Sequence, residues 1–168
     1  RVAAALVADH RPRAILDVAT GTGDLALSLA RRTAPGSAVT GLDFSQPMLD
    51  LAAGKARRGR VGIPIRWVAG DALALPFQDH SFDLATVAFG LRNFVDIPRG
   101  LAEMSRVVRP GGVVAILEFS QPSPGPCSWA YDLYRAHVLP RLGRRVAGGM
   151  PGAYEHLSGS VHRFPAPE

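Results

Sequence analysis

Five short runs of almost uninterrupted apolar residues recur along the chain, and longer amphipathic stretches separate them. The runs are Ala14–Ala19, Ser37–Leu42, Pro64–Ala69, Phe82–Phe89 and Gly112–Phe119. Strands without alternating polar residues are typical of a parallel sheet that helices cover on both faces. The pattern therefore predicts an α/β fold of the Rossmann-like, doubly wound type, with a mainly parallel sheet of five strands.

The stretches between these runs predict helices and turns. Helical spacing of apolar residues covers Asp24–Arg32, Ser45–Arg58 and Pro98–Val108. Residues 109–112 read Arg-Pro-Gly-Gly, which predicts a helix stop before the fifth strand. A further helix is predicted over Trp129–Leu139, and no strand follows it. We expect the chain to form one domain, residues 1–168.

Composition and charge exclude several classes of protein. With 168 residues, of which 47% are hydrophobic, the chain is large enough to bury one well-packed core. The net charge is +5, but basic residues are spread over both halves, so we expect no nucleic acid partner. No stretch of about 20 apolar residues is present, which excludes a membrane-spanning helix. Cys127 is the only cysteine and has no metal-ligand spacing around it, so we expect a cytoplasmic protein without disulfide or metal site.

The sharpest signal follows the first apolar run, where residues 18–24 read Val-Ala-Thr-Gly-Thr-Gly-Asp and continue into a helix. Glycines at these positions allow a tight turn and let a ligand approach the backbone without hindrance from a Cβ atom. A helix that begins there offers free N–H groups and the positive end of its dipole. We therefore predict that Gly21 and Gly23 contact a bound cofactor.

Acidic residues stand at the ends of the next two runs. Asp43 follows the second run, where a carboxylate can accept both hydroxyls of a ribose. Asp71 follows the third run, where it can accept from an adenine amino group. An adenosine-type ligand is implied, because successive strands end at one edge of the sheet. Each acid also has a structural interpretation: Asp24 as a helix cap, Asp71 as a turn former and Asp43 as a solvated strand end.

Two cofactors fit this arrangement. The string from Gly21 to Ala26 satisfies the G-x-G-x-x-A form of the dinucleotide fingerprint, which keeps a nicotinamide-dependent oxidoreductase open. Asp17 favours S-adenosyl-L-methionine, because an acid inside an apolar strand can support the cationic methionine end of that cofactor. Asp71 and the helix stop at 109–112 favour the same cofactor.

Longer strings match more than a fold. They read VATGTGD at 18–24, LPF at 75–77, FGLRNF at 89–94, EFSQP at 118–122 and HVLP at 137–140. Through these strings the chain resembles the ubiquinone/menaquinone biosynthesis C-methyltransferases over almost its whole length. The resemblance implies a class I S-adenosylmethionine-dependent methyltransferase that methylates a ring carbon of a prenylated quinol, most often demethylmenaquinol.

The resemblance also implies particular cofactor contacts. They carry over to Thr22 in the glycine turn, Asp43 at the ribose and the Asp71-Ala72 pair at the adenine. Ala88 stands where the family commonly has a serine, so we expect a backbone contact there. We add Phe44 to this set. Because the family has an N-terminal R-Y-D-like motif and two further strands, we expect this chain to be the central part of such an enzyme.

Methyl transfer needs positioning and stabilisation of the nucleophile, with no covalent enzyme intermediate. Arg92 and Asn93 follow the fourth run at the cofactor edge, so we predict that they stabilise the phenolate oxygen of the quinol. A salt bridge between Arg92 and Asp96 is the alternative. The general base stays open. Its candidates are His137, His156 and Glu118, and Ser120, Tyr131 and Tyr134 either line the substrate pocket or pack in the core.

A polyprenyl quinol resides in the bilayer, so we expect peripheral contact with the inner face of the membrane. A group of basic and apolar residues is predicted to form a face that docks on the membrane, with a solvated face as the alternative. These residues are Trp129, Arg135, Leu139, Arg141, Leu142, Arg144 and Arg145. An exposed fifth strand favours a homodimer. Two other functions stay open: methylation of another small molecule, and cofactor binding without turnover.

Overall fold

The structure is a computed structural model, and it describes residues 2–59 and 61–118. The chain divides into two units, Arg1–Glu118 and Phe119–Glu168. The second unit lies outside the described residues, and so do the helix predicted over Trp129–Leu139 and the predicted docking face. That the chain forms one domain therefore stays a prediction.

Helices and strands alternate along the described residues. The strands are β1 (Ala14–Val18), β2 (Ala38–Asp43), β3 (Ile65–Ala69), β4 (Phe82–Ala88) and β5 (Val108–Leu117). The helices are α1 (Val2–His10), α2 (Asp24–Ala30), α3 (Gln46–Arg58) and α4 (Ile97–Val107), with a 3₁₀ helix over Leu91–Asn93. All pairings are parallel, and the sheet order is β3-β2-β1-β4-β5. The predicted Rossmann-like α/β fold is confirmed.

The sheet is buried most deeply at its centre. Ile15, Leu16 and Val18 on β1 are fully buried, as are Val39 on β2 and Leu84 on β4. Residues that point to opposite faces of β1 are thus both covered, which explains why this run lacks alternating polar residues. Burial of these side chains is the main stabilising contribution to the fold.

The sequence predicts the element ends to within two residues, except at the start of β5. Helix α1 was not predicted, because the apolar residues of Val2–His10 do not gather on one face. The 3₁₀ helix Leu91–Asn93 was not predicted either, since a single turn has no periodicity to read. It nevertheless carries both predicted catalytic residues.

The start of β5 corrects one prediction. The strand begins at Val108, and residues 109–112 bulge out of its ladder with β4. Gly111 takes a left-handed φ of 81° in this bulge. The chain enters the sheet directly after α4 because Val107 and Val108 are both buried. The predicted start of the fifth strand at Gly112 is therefore wrong, whereas the preceding helix does end before residues 109–112, at Val107.

The indole ring of Trp67 on β3 packs against two glycines. A Cβ atom added to Gly41 on β2 would lie 2.5 Å from Cζ3 of Trp67, and one added to Gly23 would lie 2.7 Å from its Cη2. Both distances are too short for a normal carbon contact, so only glycine fits beside the ring. Gly23 thereby packs the start of α2 closely against the sheet.

We expect Gly41→Ala to lower the free energy of unfolding by about 1–3 kcal/mol, because the added methyl group overpacks the indole. The loss should be smaller when Trp67 is already leucine. Gly62→Ala is the matched control, since nothing lies within 4 Å of a Cβ atom there. Urea denaturation measures each variant. Equal stability of Gly41→Ala and the wild-type protein would contradict this packing.

Candidate active site

A cavity of about 620 Å³ lies at the edge of the sheet where the strands have their carboxyl ends. The segments that follow β1, β2, β3 and β4 line it. The predicted residues on its wall are Gly21, Asp43, Phe44, Asp71, Ala72, Ala88 and Asn93. The volume is typical of small-molecule sites, and open α/β sheets bind their ligands at this edge, where the strand order reverses.

The glycine turn and Asp43 form one hydrogen-bonded unit on the cavity wall. Asp43 Oδ2 accepts a hydrogen bond from the backbone N–H of Gly21 at 2.7 Å, and Oδ1 accepts one from Ser45 N–H at 2.9 Å. Gly21 has a φ of 54°, and a Cβ atom there would meet nothing within 4 Å, so its backbone borders open space. A carboxylate has about four lone-pair sites, so Asp43 keeps acceptor capacity for two ligand hydroxyls.

Asp71 shapes the loop that follows β3. Its Oδ1 accepts a hydrogen bond from the backbone N–H of Leu73 at 2.8 Å, which makes an Asx-type turn. The N–H of Gly70 donates to the carbonyl of Asp43 at 3.1 Å. Asp71 is thus a turn former, which was its structural interpretation, and it is also one of the residues that line the cavity.

Helix α4 holds the same loop in place. Arg99 Nε donates to the carbonyl of Leu73 at 2.9 Å, and Glu103 accepts from the N–H of Leu75 at 2.7 Å. Arg106 donates to the carbonyl of Leu75 at 3.0 Å. The hydrogen-bonded ion pair between Arg106 and Glu103 lowers the pKa of Glu103. The loop therefore presents a fixed shape to a ligand.

Thr22 and Gly23 are absent from the cavity wall. Thr22 Oγ1 accepts a hydrogen bond from Lys55 Nζ on α3 at 2.7 Å, and Gly23 lies against Trp67. Lys55 also pairs with Asp24 at 2.8 Å, and this hydrogen bond lowers the pKa of Asp24. Asp24 is the first residue of α2 and not its N-cap, which is Gly23. Thr22 and Gly23 thus link the glycine turn to α3 and to Trp67, and their contacts with a cofactor stay a prediction.

A second cavity, of about 470 Å³, shares Ala19, Gly21, Ala88 and Phe89 with the first. Ala19 and Phe89 have φ values of 51° and 57°, a left-handed conformation that non-glycine residues rarely adopt. The two residues follow the neighbouring strands β1 and β4. Backbone strain is thus concentrated where the two cavities meet, which is typical of functional sites.

Asp17 lines the second cavity from within β1. Its Oδ2 accepts a hydrogen bond from Thr20 Oγ1 at 2.6 Å, and its Oδ1 accepts one from Thr86 Oγ1 at 2.7 Å. Burial raises the pKa of Asp17 to about 6, although the two hydroxyl hydrogen bonds oppose this shift. A nearby cation favours the charged form of such a carboxyl group, so the cavity suits a positively charged ligand.

Four acidic residues line the two cavities, namely Asp17, Asp24, Asp43 and Asp71, and of these Asp24 is paired with Lys55. Among the described residues, these walls include no lysine, arginine or histidine. The phosphates of a dinucleotide would be repelled here, whereas the sulfonium and ammonium groups of S-adenosylmethionine would be attracted. The charge pattern favours the second cofactor.

The structure separates the two predicted catalytic residues. Asn93 lines the first cavity and is exposed. Arg92 is absent from that wall, and its Nη1 pairs with Glu118 Oε1 at 3.0 Å. Asp96, the alternative partner, instead caps α4 by accepting a hydrogen bond from the N–H of Arg99 at 3.0 Å. Arg92 is thus paired with Glu118 and not with Asp96.

Two contributors to the site were missed at the level of sequence. Thr86, the partner of Asp17, is a polar residue within the apolar fourth run, and that position was the available signal. Lys55 gave no signal, because its link to the glycine turn spans 33 residues along the chain. Both act by fixing groups that line a cavity.

The remaining substrate-binding and base candidates lie outside the described residues: Ser120, Tyr131, Tyr134, His137 and His156. Over 2–59 and 61–118, no three His, Cys, Asp or Glu side chains are grouped to hold a metal ion. No helix in the same ranges is long and apolar enough to cross a bilayer.

A parallel sheet in this order, with a glycine turn at its carboxyl edge, is the Rossmann-like fold of class I methyltransferases. The fold is similar to that of a SAM dependent methyltransferase from Aquifex aeolicus. The two structures superimpose with a TM-score of 0.61 over 72% of this chain and 68% of the other, at 22% sequence identity.

The sequence then identifies the family. It matches the ubiE/COQ5 methyltransferase family over residues 1–168, and the chain belongs to that family. All 168 residues align at 52% identity with 68% of a demethylmenaquinone methyltransferase from Deinococcus radiodurans. They align at 49% identity with 74% of another from Thermus thermophilus. The predicted family and methyltransferase class are confirmed, and the oxidoreductase alternative is rejected.

Proposed function

We propose that this chain transfers the methyl group of S-adenosyl-L-methionine to a ring carbon of a prenylated quinol, with demethylmenaquinol as its acceptor. The observation that carries the proposal is the acidic cavity beside the glycine turn, in a chain of the ubiE/COQ5 methyltransferase family. The relatives from Deinococcus and Thermus are both named demethylmenaquinone methyltransferases, which favours a naphthoquinol over a benzoquinol acceptor.

The residues of the two cavities fit this cofactor. We assign Asp43 to the ribose hydroxyls, the 85% exposed ring of Phe44 to the adenine face, and the Asp71-Ala72 pair to the adenine edge. We assign Asp17, which lines the second cavity, to the cationic methionine end. When bound, the cofactor supplies an electrophilic methyl group on a positively charged sulfur.

We assign Asn93 to the acceptor, because this exposed residue lines the cavity at the end of the sheet. An amide N–H that donates to the quinol oxygen stabilises the negative charge that develops when the hydroxyl proton leaves. The adjoining ring carbon becomes more nucleophilic as a result. Holding that oxygen also fixes the orientation of the ring.

Exposed apolar side chains surround the mouth of the cavity, namely Phe44, Met48, Phe89 and Val95. Val95 is the most exposed of them, at 93%. Such a rim suits an acceptor that carries an apolar ring and a prenyl chain. Its burial against the rim excludes water from the reacting groups.

The test is an assay of the full chain with S-adenosylmethionine and demethylmenaquinol in detergent, with product mass as the readout. We expect a product that carries one additional methyl group. Asn93→Ala should lower kcat by about 10²–10³-fold, because one charge-stabilising donor is lost. Its affinity for S-adenosylmethionine should not change. Gln78→Ala is the control, since it removes an exposed amide from outside the cavity wall.

Other results would redirect or reject the proposal. Methylation of a benzoquinol alone would change the head group, and methylation of a non-quinol alone would change the substrate class. Cofactor binding without any methylated product would leave a binding domain without turnover. A normal kcat for Asn93→Ala would remove the role assigned to that side chain.

A further inference from the structure

A buried ion pair joins the ends of β4 and β5. Arg92 lies in the 3₁₀ helix after β4, and Glu118 directly follows β5. Their Nη1 and Oε1 atoms are 3.0 Å apart, and the side chains are only 9% and 5% exposed. The backbone N–H of Arg92 also faces Glu118 Oε2, at 3.4 Å. The pair links the two sequence strings FGLRNF and EFSQP in space.

The turn that contains Arg92 has a demanding conformation. Phe89 has a left-handed φ of 57°, and its N–H donates to the carbonyl of Leu117 at 2.8 Å. A Cβ atom added to Gly90 would lie 2.6 Å from the Cβ of Ala19, so this turn is pressed against the end of β1. The turn closes with the N–H of Asn93 donating to the Gly90 carbonyl at 3.0 Å.

Arg92 is surrounded in sequence by residues that line the cavity, although it is not on the wall itself. Phe89 and Gly90 precede it there, and Asn93 follows it. A buried ion pair adds little net stability compared with apolar side chains, but it is directional. The pair therefore fixes the turn's geometry more than it stabilises the chain.

We propose that Arg92 and Glu118 are positioning residues, whose buried pair holds the turn 89–93 so that the Asn93 amide is presented to the acceptor. This replaces the direct role at the phenolate that the sequence predicts for Arg92. The inference rests on the proposed function, because that function assigns Asn93 to the acceptor.

The test compares the variant Arg92→Met/Glu118→Leu with Asn93→Ala and with the triple variant. Apolar replacement of both partners removes the two opposite charges of the pair together, so the variant should fold. We expect its kcat to fall by about 100-fold, because the donor is misplaced, while its affinity for S-adenosylmethionine is kept. The triple variant should lose little more than Asn93→Ala alone. Arg92→Lys, which keeps the charge, should recover part of the activity.

Hydrogen exchange supplies a readout that does not depend on activity. The N–H groups of Asn93 and Phe94 close the 3₁₀ turn, at 3.0 and 3.1 Å from their acceptors. We expect their exchange to be at least about tenfold faster in Arg92→Met/Glu118→Leu, since the turn opens locally. Arg109→Met is the control, at a more exposed ion pair. It removes an ion pair of the same 3.0 Å length, with Asp83, from the other end of β4 and β5.

The outcomes separate the two claims. If the wild-type chain methylates no quinol, the proposed function fails. The exchange rates alone then test whether the Arg92–Glu118 pair holds the turn 89–93. Unchanged exchange in Arg92→Met/Glu118→Leu overturns the positioning role whatever the activity. Losses in kcat that multiply in the triple variant would show that Arg92 acts on the acceptor directly. Equal exchange gains in Arg109→Met would show a general loosening of the sheet.

Discussion

Asp43→Ala is expected to weaken the binding of S-adenosylmethionine by about 100-fold, because two ribose hydroxyls lose a charged acceptor. The same change leaves the N–H of Gly21 without its partner at 2.7 Å, so the glycine turn also loses its link to β2. Calorimetric titration of the folded variant measures the loss. The affinity of Asp43→Asn should fall between those of the wild-type protein and Asp43→Ala, since asparagine keeps an oxygen acceptor.

Asp50→Ala is the control for charge. Asp50 is an exposed acid on α3 that is absent from both cavity walls. Its removal changes the net charge by the same amount as Asp43→Ala but leaves the cavities intact. We expect its affinity to match that of the wild-type protein. If Asp43→Ala bound S-adenosylmethionine as tightly as Asp50→Ala, the carboxyl group would have no part in holding the ribose.

Asp17→Asn is expected to make the protein more stable at neutral pH and weaker as a cofactor binder. Burial raises the pKa of Asp17 to about 6 from 3.8, so the folded chain binds more protons than the unfolded chain between these values. The contribution of Asp17 to the free energy of unfolding is therefore fully present below pH 3.8, and it is lost as the pH rises through 6. The ionised carboxyl group costs about 3 kcal/mol at most above that pH.

Asparagine cannot ionise, so the variant should lack this dependence on pH. We expect its free energy of unfolding to exceed that of the wild-type protein by about 1–3 kcal/mol at pH 7.5 and to match it near pH 4. Urea denaturation across this pH range measures the difference. Parallel stability curves for the two proteins would contradict the shifted pKa.

The same variant tests the charge of the second cavity. Removal of one negative charge should weaken the binding of S-adenosylmethionine by about tenfold. The binding of S-adenosylhomocysteine, the product with a neutral sulfur, should weaken by less. This pairing of higher stability with poorer binding is typical of side chains that are kept for function.

The sequence could predict the strands and the acidic residues of the cavity walls because both depend on local pattern. Gly21, Asp43 and Asp71 follow apolar runs, and parallel strands end at one edge whatever the details of packing. The direction of a side chain within a tight turn depends instead on its φ and on distant neighbours. The sequence therefore did not reveal that Thr22 contacts α3 and that Gly23 packs against Trp67.

The partner of Arg92 illustrates the same limit. Asp96 lies four residues from Arg92 and was the alternative partner predicted for it. Glu118 is 26 residues away, but the parallel pairing of β4 with β5 brings it to Arg92. The bulge at 109–112 sets which residues of the two strands are paired. Strand register of this kind has no signature in local sequence, so neither the buried pair nor the bulge could be predicted.

The most direct measurement is a calorimetric titration of the full chain with S-adenosylmethionine, followed by a titration with NADH. The acidic cavity predicts one-to-one binding of S-adenosylmethionine, which weakens as salt screens the attraction, and no heat from NADH. Binding of NADH in competition with S-adenosylmethionine, or no binding of S-adenosylmethionine by the folded chain, would contradict the assignment of this cavity.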